Sequence, residues 1–218
     1  MTVHHHPDPA TLMSYAAGSL PEALAAVVSC HVAMCPECRA EVNWLEEAGG
    51  ALLDGLDGER VTSGAPDVGD ASALAVRADP RPRSSASVPS GDVPAPLVAL
   101  VGTDLHAVKW RRLAPGLWHK KLPLSKAGGG DLRLIKVAPG LKLPEHGHGG
   151  QELTLLLDGA YSDCFGRYGR GDIADLDEEV EHQPIADPEV GCICLIGIVK
   201  PSRYKGWMAR LLQPIVGV

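Results

Sequence analysis

Three potential metal ligands with a fixed spacing, in the second half of the chain, constrain this sequence more than any other feature. His146, His148 and Glu152 lie in the pattern G-x5-H-x-H-x3-E-x6-G, which spans residues 140–159. Residues two positions apart on an extended strand point to the same side, so both imidazoles are expected to face one interior. Glu152 follows a glycine-rich turn and begins the next predicted strand. The pattern therefore predicts a metal site enclosed by β-structure.

The sequence around this pattern, from about Leu97 onward, is typical of an all-β domain. Short apolar runs alternate with glycine and proline, at the spacing expected of a closed barrel or a double-sheet jelly roll. The predicted strands cover residues 107–113, 131–137, 152–157, 191–199 and 207–212.

The pattern over residues 140–159 resembles the first motif of the cupin barrels at each of its positions. Gly171-Asp172 resembles the turn that opens the second cupin motif, and the resemblance then assigns the fourth ligand to His182. Three imidazoles and one carboxylate suit Zn²⁺, Mn²⁺, Fe²⁺ or Ni²⁺, and the ligand set does not choose among them. A vestigial site is the alternative, which the presence of all four ligands disfavours.

A second ligand cluster lies near the N-terminus, where His31, Cys35 and Cys38 form the pattern H-x3-C-x2-C. Cys35 begins a predicted helix, so both sulfurs straddle its first turn and can reach one point. His31 ends the preceding helix. Zn²⁺ prefers four tetrahedral nitrogen and sulfur ligands, and three are present. The nearby candidates for the fourth are His4, His5 and His6.

Two other interpretations of the N-terminal cluster are possible. A C-x2-C pair is also found as a redox centre, and three consecutive histidines can be a solvated tail. The third ligand at the matching offset, in a helical unit too small to have a large core, favours a structural zinc site.

The chain is predicted to divide into a helical and a β part. Residues typical of helix N-termini, at Asp8-Pro9, Pro21 and Cys35-Pro36, predict three helices before Gly58. Gly, Pro, Ser, Asp and Ala dominate residues 58–96, a composition typical of a linker. We expect a helical zinc domain over residues 1–80, a linker over 81–96 and a metal-binding barrel over 97–218. The predicted fold class is thus α + β with two domains.

An early histidine, the helical stretch 14–18 and the H-x3-C-x2-C pattern together resemble the zinc anti-sigma domain. With a cupin domain following it, the chain resembles the ChrR-type anti-sigma factors over nearly its whole length. The resemblance places the remaining zinc ligand on His6, and it favours zinc in the cupin as well. It implies that the partner is a sigma factor of the extracytoplasmic-function group, which is kept from RNA polymerase.

The resemblance further implies a stress signal such as singlet oxygen or a related oxidant. We therefore expect the cupin, with a small molecule or an oxidant as a candidate ligand, to be needed for release of the sigma factor. The family's fourth helix falls near residues 64–76, where Gly64, Pro66 and Gly69 oppose a long helix.

Charge and composition exclude several other functions. The formal net charge is −7, with 20 basic and 27 acidic residues, which argues against direct binding of nucleic acid. Between Met1 and Asp57, Arg39 is the sole lysine or arginine. No apolar run is long enough for a membrane span. The cysteine spacing and the absence of a secretory signal predict a cytoplasmic protein.

The main alternative function is that of a metal-dependent cupin enzyme, a dioxygenase or an isomerase. The barrel motif alone would support this alternative, because a fold does not fix a function. The appended helical domain has no evident catalytic task, so we expect a regulator and not an enzyme.

Overall fold

The computed structural model describes residues 2–55, 93–126, 128–200 and 203–204. Three sequence predictions lie outside the described residues, either wholly or in large part. They are the linker over 81–96, the fourth helix near 64–76 and the strand over 207–212.

The first three helices begin where the sequence predicted, whereas the helix over Ala95–Val101 was not predicted. Asp8 caps the first helix, since its side chain accepts a hydrogen bond from the backbone N–H of Ala10 at 2.8 Å. The second helix begins after Pro21 without a side-chain cap, and the third is capped by Cys35. The helices are α1 (Pro9–Ala16), α2 (Glu22–Met34), α3 (Pro36–Asp54) and α4 (Ala95–Val101).

The rest of the described chain forms two antiparallel sheets. The larger sheet has the order β1-β2-β3-β10-β5-β6, with β7 and β9 also paired to β5, and the smaller has the order β11-β4-β8. The strands are β1 (Arg111–Ala114), β2 (Leu117–Lys121), β3 (Asp131–Val137), β4 (His146–Gly147), β5 (Glu152–Asp163), β6 (Gly166–Gly169), β7 (Ile173–Leu176), β8 (Glu181–His182), β9 (Ile185–Ala186), β10 (Cys192–Ile198) and β11 (Arg203–Tyr204). The predicted all-β cupin architecture is confirmed.

The central strand β10 is buried on both of its faces. Ile193 and Leu195 point to a core that includes α2, whereas Cys192 and Cys194 point to the interior between the two sheets. Alternation with period two explains this division, and two-sided burial explains why the strand reads as a continuous apolar run.

The helical part packs directly on the outer face of the larger sheet. Ala23, Leu24, Val27 and Val28 of α2 are fully buried in one core with the outward side chains of β3, β5 and β10. The helix comes so close that a Cβ at Gly197 would lie 2.6 Å from the backbone oxygen of Ala23. Glycine at this position therefore permits the contact.

The sequence suggested that a linker keeps the two parts apart, and the structure brings them together in one shared core. Helix α4 starts at Ala95, within the end of the predicted linker, and packs against α2. Burial of apolar side chains at this contact explains the packing, because a helix stripe and a sheet face each gain by covering the other.

Candidate metal centres

The N-terminal ligand candidates converge where three chain segments meet. One ligand atom each from His6, His31, Cys35 and Cys38 lies within 4.8 Å of the others. The Nε2 atom of His31 and the Nδ1 atom of His6 each lie 3.2 Å from the sulfur of Cys38. Tetrahedral coordination with bonds of about 2.0–2.3 Å gives ligand separations of this size.

Local structure sets the position of each of these four side chains. Cys35 is the N-cap of α3 and Cys38 lies in its first turn, with the backbone N–H of Cys38 directed at the sulfur of Cys35 at 3.5 Å. His31 lies in the last turn of α2, and His6 precedes α1. Of the three histidines that the sequence left open, the structure brings His6 into the cluster.

Burial changes the pKa of a histidine and of a cysteine in this cluster. Burial lowers the pKa of His31 to about 4, so the imidazole is neutral at pH 7 and can donate a lone pair. Burial and the neighbouring Cys35 raise the pKa of the Cys38 thiol to about 12. Ionising both sulfurs at pH 7 therefore needs a positive charge beside them, and a set of two thiolates and two imidazoles fits Zn²⁺.

The second cluster lies inside the barrel. Ligand atoms of His146, His148, Glu152 and His182, all buried, lie within 4.8 Å of one another. The three imidazole centroids are 4.7–5.4 Å apart, and Nε2 of His148 lies 3.6 Å from Oε2 of Glu152. The four ligand candidates come from β4, β5, β8 and the turn after β4, and His148 lies just beyond the strand on which the sequence placed it with His146.

Hydrogen bonds fix two of the three barrel imidazoles. The Nδ1 atom of His182 lies 2.9 Å from the carboxylate of Asp163, and Nδ1 of His146 lies 2.9 Å from the carbonyl oxygen of Pro144. Each contact orients the ring and leaves Nε2 facing the cluster. Burial alone would raise the pKa of Asp163, but hydrogen bonds from His182 and two backbone N–H groups lower it, so the carboxylate is charged.

The same cluster contains buried polar atoms without hydrogen-bond partners among the described residues. They are both ring nitrogens of His148 and Nε2 of His182. A buried imidazole nitrogen without a partner is costly, and coordination of a metal would satisfy Nε2 of His182 and one ring nitrogen of His148. The donor set therefore fits a divalent metal.

A cavity opens beside the barrel cluster, and most of its walls are apolar. His146, Glu152 and His182 form one side of it, and Tyr161, Cys192 and Cys194 are among the other lining residues. The two cysteines lie two residues apart on β10, share one face of that strand and are buried. Their sulfurs lie 3.8 Å apart without a disulfide. Their position on the cavity wall was not predicted.

Several residues that support the clusters were missed from the sequence. Asp163 and Tyr161 belong to no motif, and their roles follow only from the fold. Asp172 was noted only as part of a turn, and it accepts hydrogen bonds from the backbone N–H groups of His4 and His5 at 2.7 and 3.0 Å. Burial alone would raise the pKa of Asp172, but backbone hydrogen bonds lower it, so it too is charged.

Four histidines of the described chain lie outside both clusters, and two of them, His4 and His5, directly precede His6. His106 is exposed, and His119 is buried beside Arg133.

The fold and the two clusters together define a class of protein: a small helical His/Cys metal-binding unit docked on a cupin barrel with a His/Glu cluster. Profiles for two families match the corresponding parts of the chain. One, described as a ChrR cupin-like domain, matches residues 99–200, and the other, a putative zinc-finger, matches residues 10–39. The second match covers His31, Cys35 and Cys38 and begins after His6.

Similarity to characterised proteins extends over the whole chain. The anti-sigma-E factor ChrR of Cereibacter sphaeroides is 38% identical over 216 residues, 98% of each chain. The crystal structure of Rhodobacter sphaeroides SigE in complex with the anti-sigma ChrR aligns with a TM-score of 0.74 and 37% identity, over 90% of this chain and 100% of the matched chain. The chain belongs to the ChrR family of anti-sigma factors, as the sequence motifs indicated.

Among the described residues, every helix is too short or too polar to span a membrane.

Proposed function

We propose that this protein binds a sigma factor of the extracytoplasmic-function group and keeps it from RNA polymerase, in the cytoplasm. The observation that carries the proposal is the similarity of the whole chain to the anti-sigma-E factor ChrR. The solved structure that aligns with this chain holds an anti-sigma ChrR in complex with SigE. The N-terminal His/Cys cluster and the barrel cluster also support the proposal, because the two family profiles match the two parts of the chain that carry these clusters. The helical unit, over about residues 1–80, would hold the partner.

In this proposal the N-terminal cluster binds Zn²⁺ through His6, His31, Cys35 and Cys38. A structural zinc there would tie together the segment before α1, the end of α2 and the start of α3. Such sites contribute about 10–16 kcal/mol to the folding of small units. The loss of one ligand would therefore disorganise the helical surface that contacts the partner.

The surface of α3 offers a chemically suitable contact. Trp44 is 62% exposed on this helix, and Glu37, Glu41, Glu46 and Glu47 are also exposed. A large exposed aromatic side chain among acidic ones suits a protein partner with apolar pockets and a basic surface. A sigma factor must contact DNA, so basic surface is expected on it.

The barrel is proposed to receive the signal that releases the sigma factor. Its cluster, His146, His148, Glu152 and His182, would bind Zn²⁺, with Mn²⁺, Fe²⁺ or Ni²⁺ as chemically suitable substitutes. A bound metal would supply a Lewis-acidic centre on the cavity wall. The adjoining cavity gives room for a small molecule or an oxidant, and singlet oxygen or a related oxidant is the proposed stress. Residues 97–218 would form this receiving domain.

A sigma-dependent reporter in cells carrying variants of the full chain tests the proposal. Cys38→Ala is expected to give constitutive reporter activity, because the helical unit loses its zinc. His148→Ala and Glu152→Ala are expected to repress normally without stress and to fail to respond to singlet oxygen. His106→Ala, which changes an exposed histidine outside both clusters, serves as the control and should behave as wild type.

Two results would contradict the proposal at different points. Full repression by Cys38→Ala would exclude zinc-dependent binding of the sigma factor. Normal induction in both barrel variants, after metal loss has been confirmed by elemental analysis, would exclude the barrel as the receiver of the signal.

A further inference from the structure

One turn of the barrel, between β6 and β7, contacts the segment that carries His6. Both N–H groups of His4 and His5 donate to the same carboxylate oxygen of Asp172, at 2.7 and 3.0 Å. The N–H of Ile173 donates to the carbonyl oxygen of His5 at 3.2 Å. The residues immediately before His6 are therefore held on the barrel by three hydrogen bonds.

The same turn contacts the other imidazole of the N-terminal centre. The Nδ1–H of His31 donates to the carbonyl oxygen of Gly171 at 2.9 Å. Asp172 is the next residue, and it is only 4% exposed. Both histidines of the cluster are thus oriented from a turn that belongs to the other half of the sequence.

The turn itself is well fixed. The N–H of Gly169 donates to the second carboxylate oxygen of Asp172, and the N–H of Asp172 donates to the carbonyl oxygen of Gly169, both at 2.9 Å. Gly171 has a φ of 90°, a conformation that favours glycine. Because these hydrogen bonds hold the turn in one conformation, the turn can fix the position of the segments that bind to it.

From these contacts we infer that Asp172 is a positioning residue of the N-terminal metal centre, supplied by the barrel. It holds the backbone before His6 so that the Nδ1 atom of that residue meets the sulfurs of Cys35 and Cys38. Outer-shell groups that orient metal ligands commonly change metal affinity by about 10–100-fold when they are removed. This inference rests on the proposed zinc centre, not on the binding of a sigma factor.

The β5–β6 hairpin, which precedes Asp172, also connects the segment before His6 with the barrel cavity. The ring of His5 lies 4.3 Å from that of Tyr168, and Tyr168 stacks on Tyr161 at 5.0 Å, in the cavity wall. Asp163, on the same β5–β6 hairpin, bonds to His182. One hairpin and the turn that follows it therefore touch both metal centres, and a contiguous chain of contacts links them.

The test uses the full chain loaded with Co²⁺ in place of Zn²⁺. Thiolate-to-metal absorption then reports on the N-terminal centre, because the barrel cluster contains no cysteine. Titration with a competing chelator measures the Co²⁺ affinity. Asp172→Ala is expected to bind Co²⁺ at this centre about 10–100-fold more weakly than wild type. Asp172→Asn keeps one acceptor oxygen and loses the charge, so a smaller loss is expected.

The control is Asp158→Ala, which removes an exposed carboxylate from the same barrel and should leave the affinity unchanged. An affinity in folded Asp172→Ala equal to that of the control would overturn the inference. If the alanine variant does not fold, Asp172→Asn decides, and an unchanged affinity there has the same consequence. Absence of the thiolate absorption in wild type would instead overturn the metal centre itself.

Discussion

The Nδ1 atom of His31 lies 2.9 Å from the carbonyl oxygen of Gly171. This single hydrogen bond joins the end of α2 to the barrel and determines which ring nitrogen of His31 faces the cysteines. Because Nδ1 donates its proton to the carbonyl, Nε2 presents its lone pair to the cluster, 3.2 Å from the sulfur of Cys38. The geometry of the N-terminal centre therefore depends on a hydrogen bond from the barrel as well as on the helices.

The first prediction concerns metal content. The two clusters have separate ligand sets, so elemental analysis of gently purified protein should give about two metal ions per chain. Cys38→Ala should lower this to about one ion and abolish thiolate absorption after Co²⁺ loading, whereas His148→Ala should also lose one ion and keep that absorption. A content near one ion in wild type that Cys38→Ala does not change would exclude the N-terminal centre.

Most members of the two clusters could be predicted from the sequence because their clustering depends on short-range spacing. Cys35 and Cys38 lie on one helix turn, and His146 and His148 lie two residues apart in β4 and the turn after it, so local geometry alone brings each pair together. The choice of His6 over its two neighbours could not follow from spacing, because all three precede the same helix. The resemblance to a family supplied it.

The docking of the helical part could not be predicted from the sequence. It depends on Gly197 and the outward side chains of β10, whose partner α2 lies near the opposite end of the chain. Hydrophobic pattern indicates that a face is buried, but it does not say which element covers it. The composition of residues 58–96 pointed to separated modules, whereas burial of apolar surface joins them.

The second prediction concerns Asp163, which the sequence did not single out. Its buried carboxylate accepts a hydrogen bond from Nδ1 of His182, so Asp163→Ala removes the group that orients this ligand. We expect the barrel centre to bind its metal about 10–100-fold more weakly, with the N-terminal centre unchanged. Competition with a chelator measures the loss. The exposed Asp158→Ala is the matched control, and equal affinities in the two variants would contradict a role for Asp163.

The third prediction concerns partner binding through α3. Trp44 is largely exposed, so Trp44→Ala should leave the unfolding temperature nearly unchanged. If this side chain fills a pocket on the sigma factor, its removal should weaken the complex by about 2 kcal/mol or more. Titration calorimetry of the purified pair measures the change.

Val190→Ala provides the comparison for Trp44→Ala. Val190 is 67% exposed and lies on the barrel, away from α3. It should bind the sigma factor as wild type does. A Trp44→Ala complex as tight as the Val190→Ala complex would place the contact surface elsewhere.

The fourth prediction concerns Gly197, where helix and barrel come closest. A methyl group at this position would lie 2.6 Å from the backbone oxygen of Ala23 and 2.9 Å from a methyl carbon of Val27. The backbone oxygen of Ala23 cannot rotate away as a flexible side chain can, so in Gly197→Ala helix α2 must shift away from β10. Overpacking of this kind costs about 1–3 kcal/mol of unfolding free energy, which denaturant titration of the metal-loaded chain measures.

The shift of α2 should also reach the metal centre, because His31 lies in the last turn of this helix and its partner Gly171 lies on the barrel. We therefore expect Gly197→Ala to weaken Co²⁺ binding at the N-terminal centre while the barrel centre keeps its affinity. Gly150→Ala is the control, since a methyl group there would meet only the side chain of Lys200, at 3.7 Å. If Gly197→Ala lowers stability but leaves the thiolate absorption and its chelator midpoint equal to those of Gly150→Ala, docking stabilises the fold without acting on the metal centre.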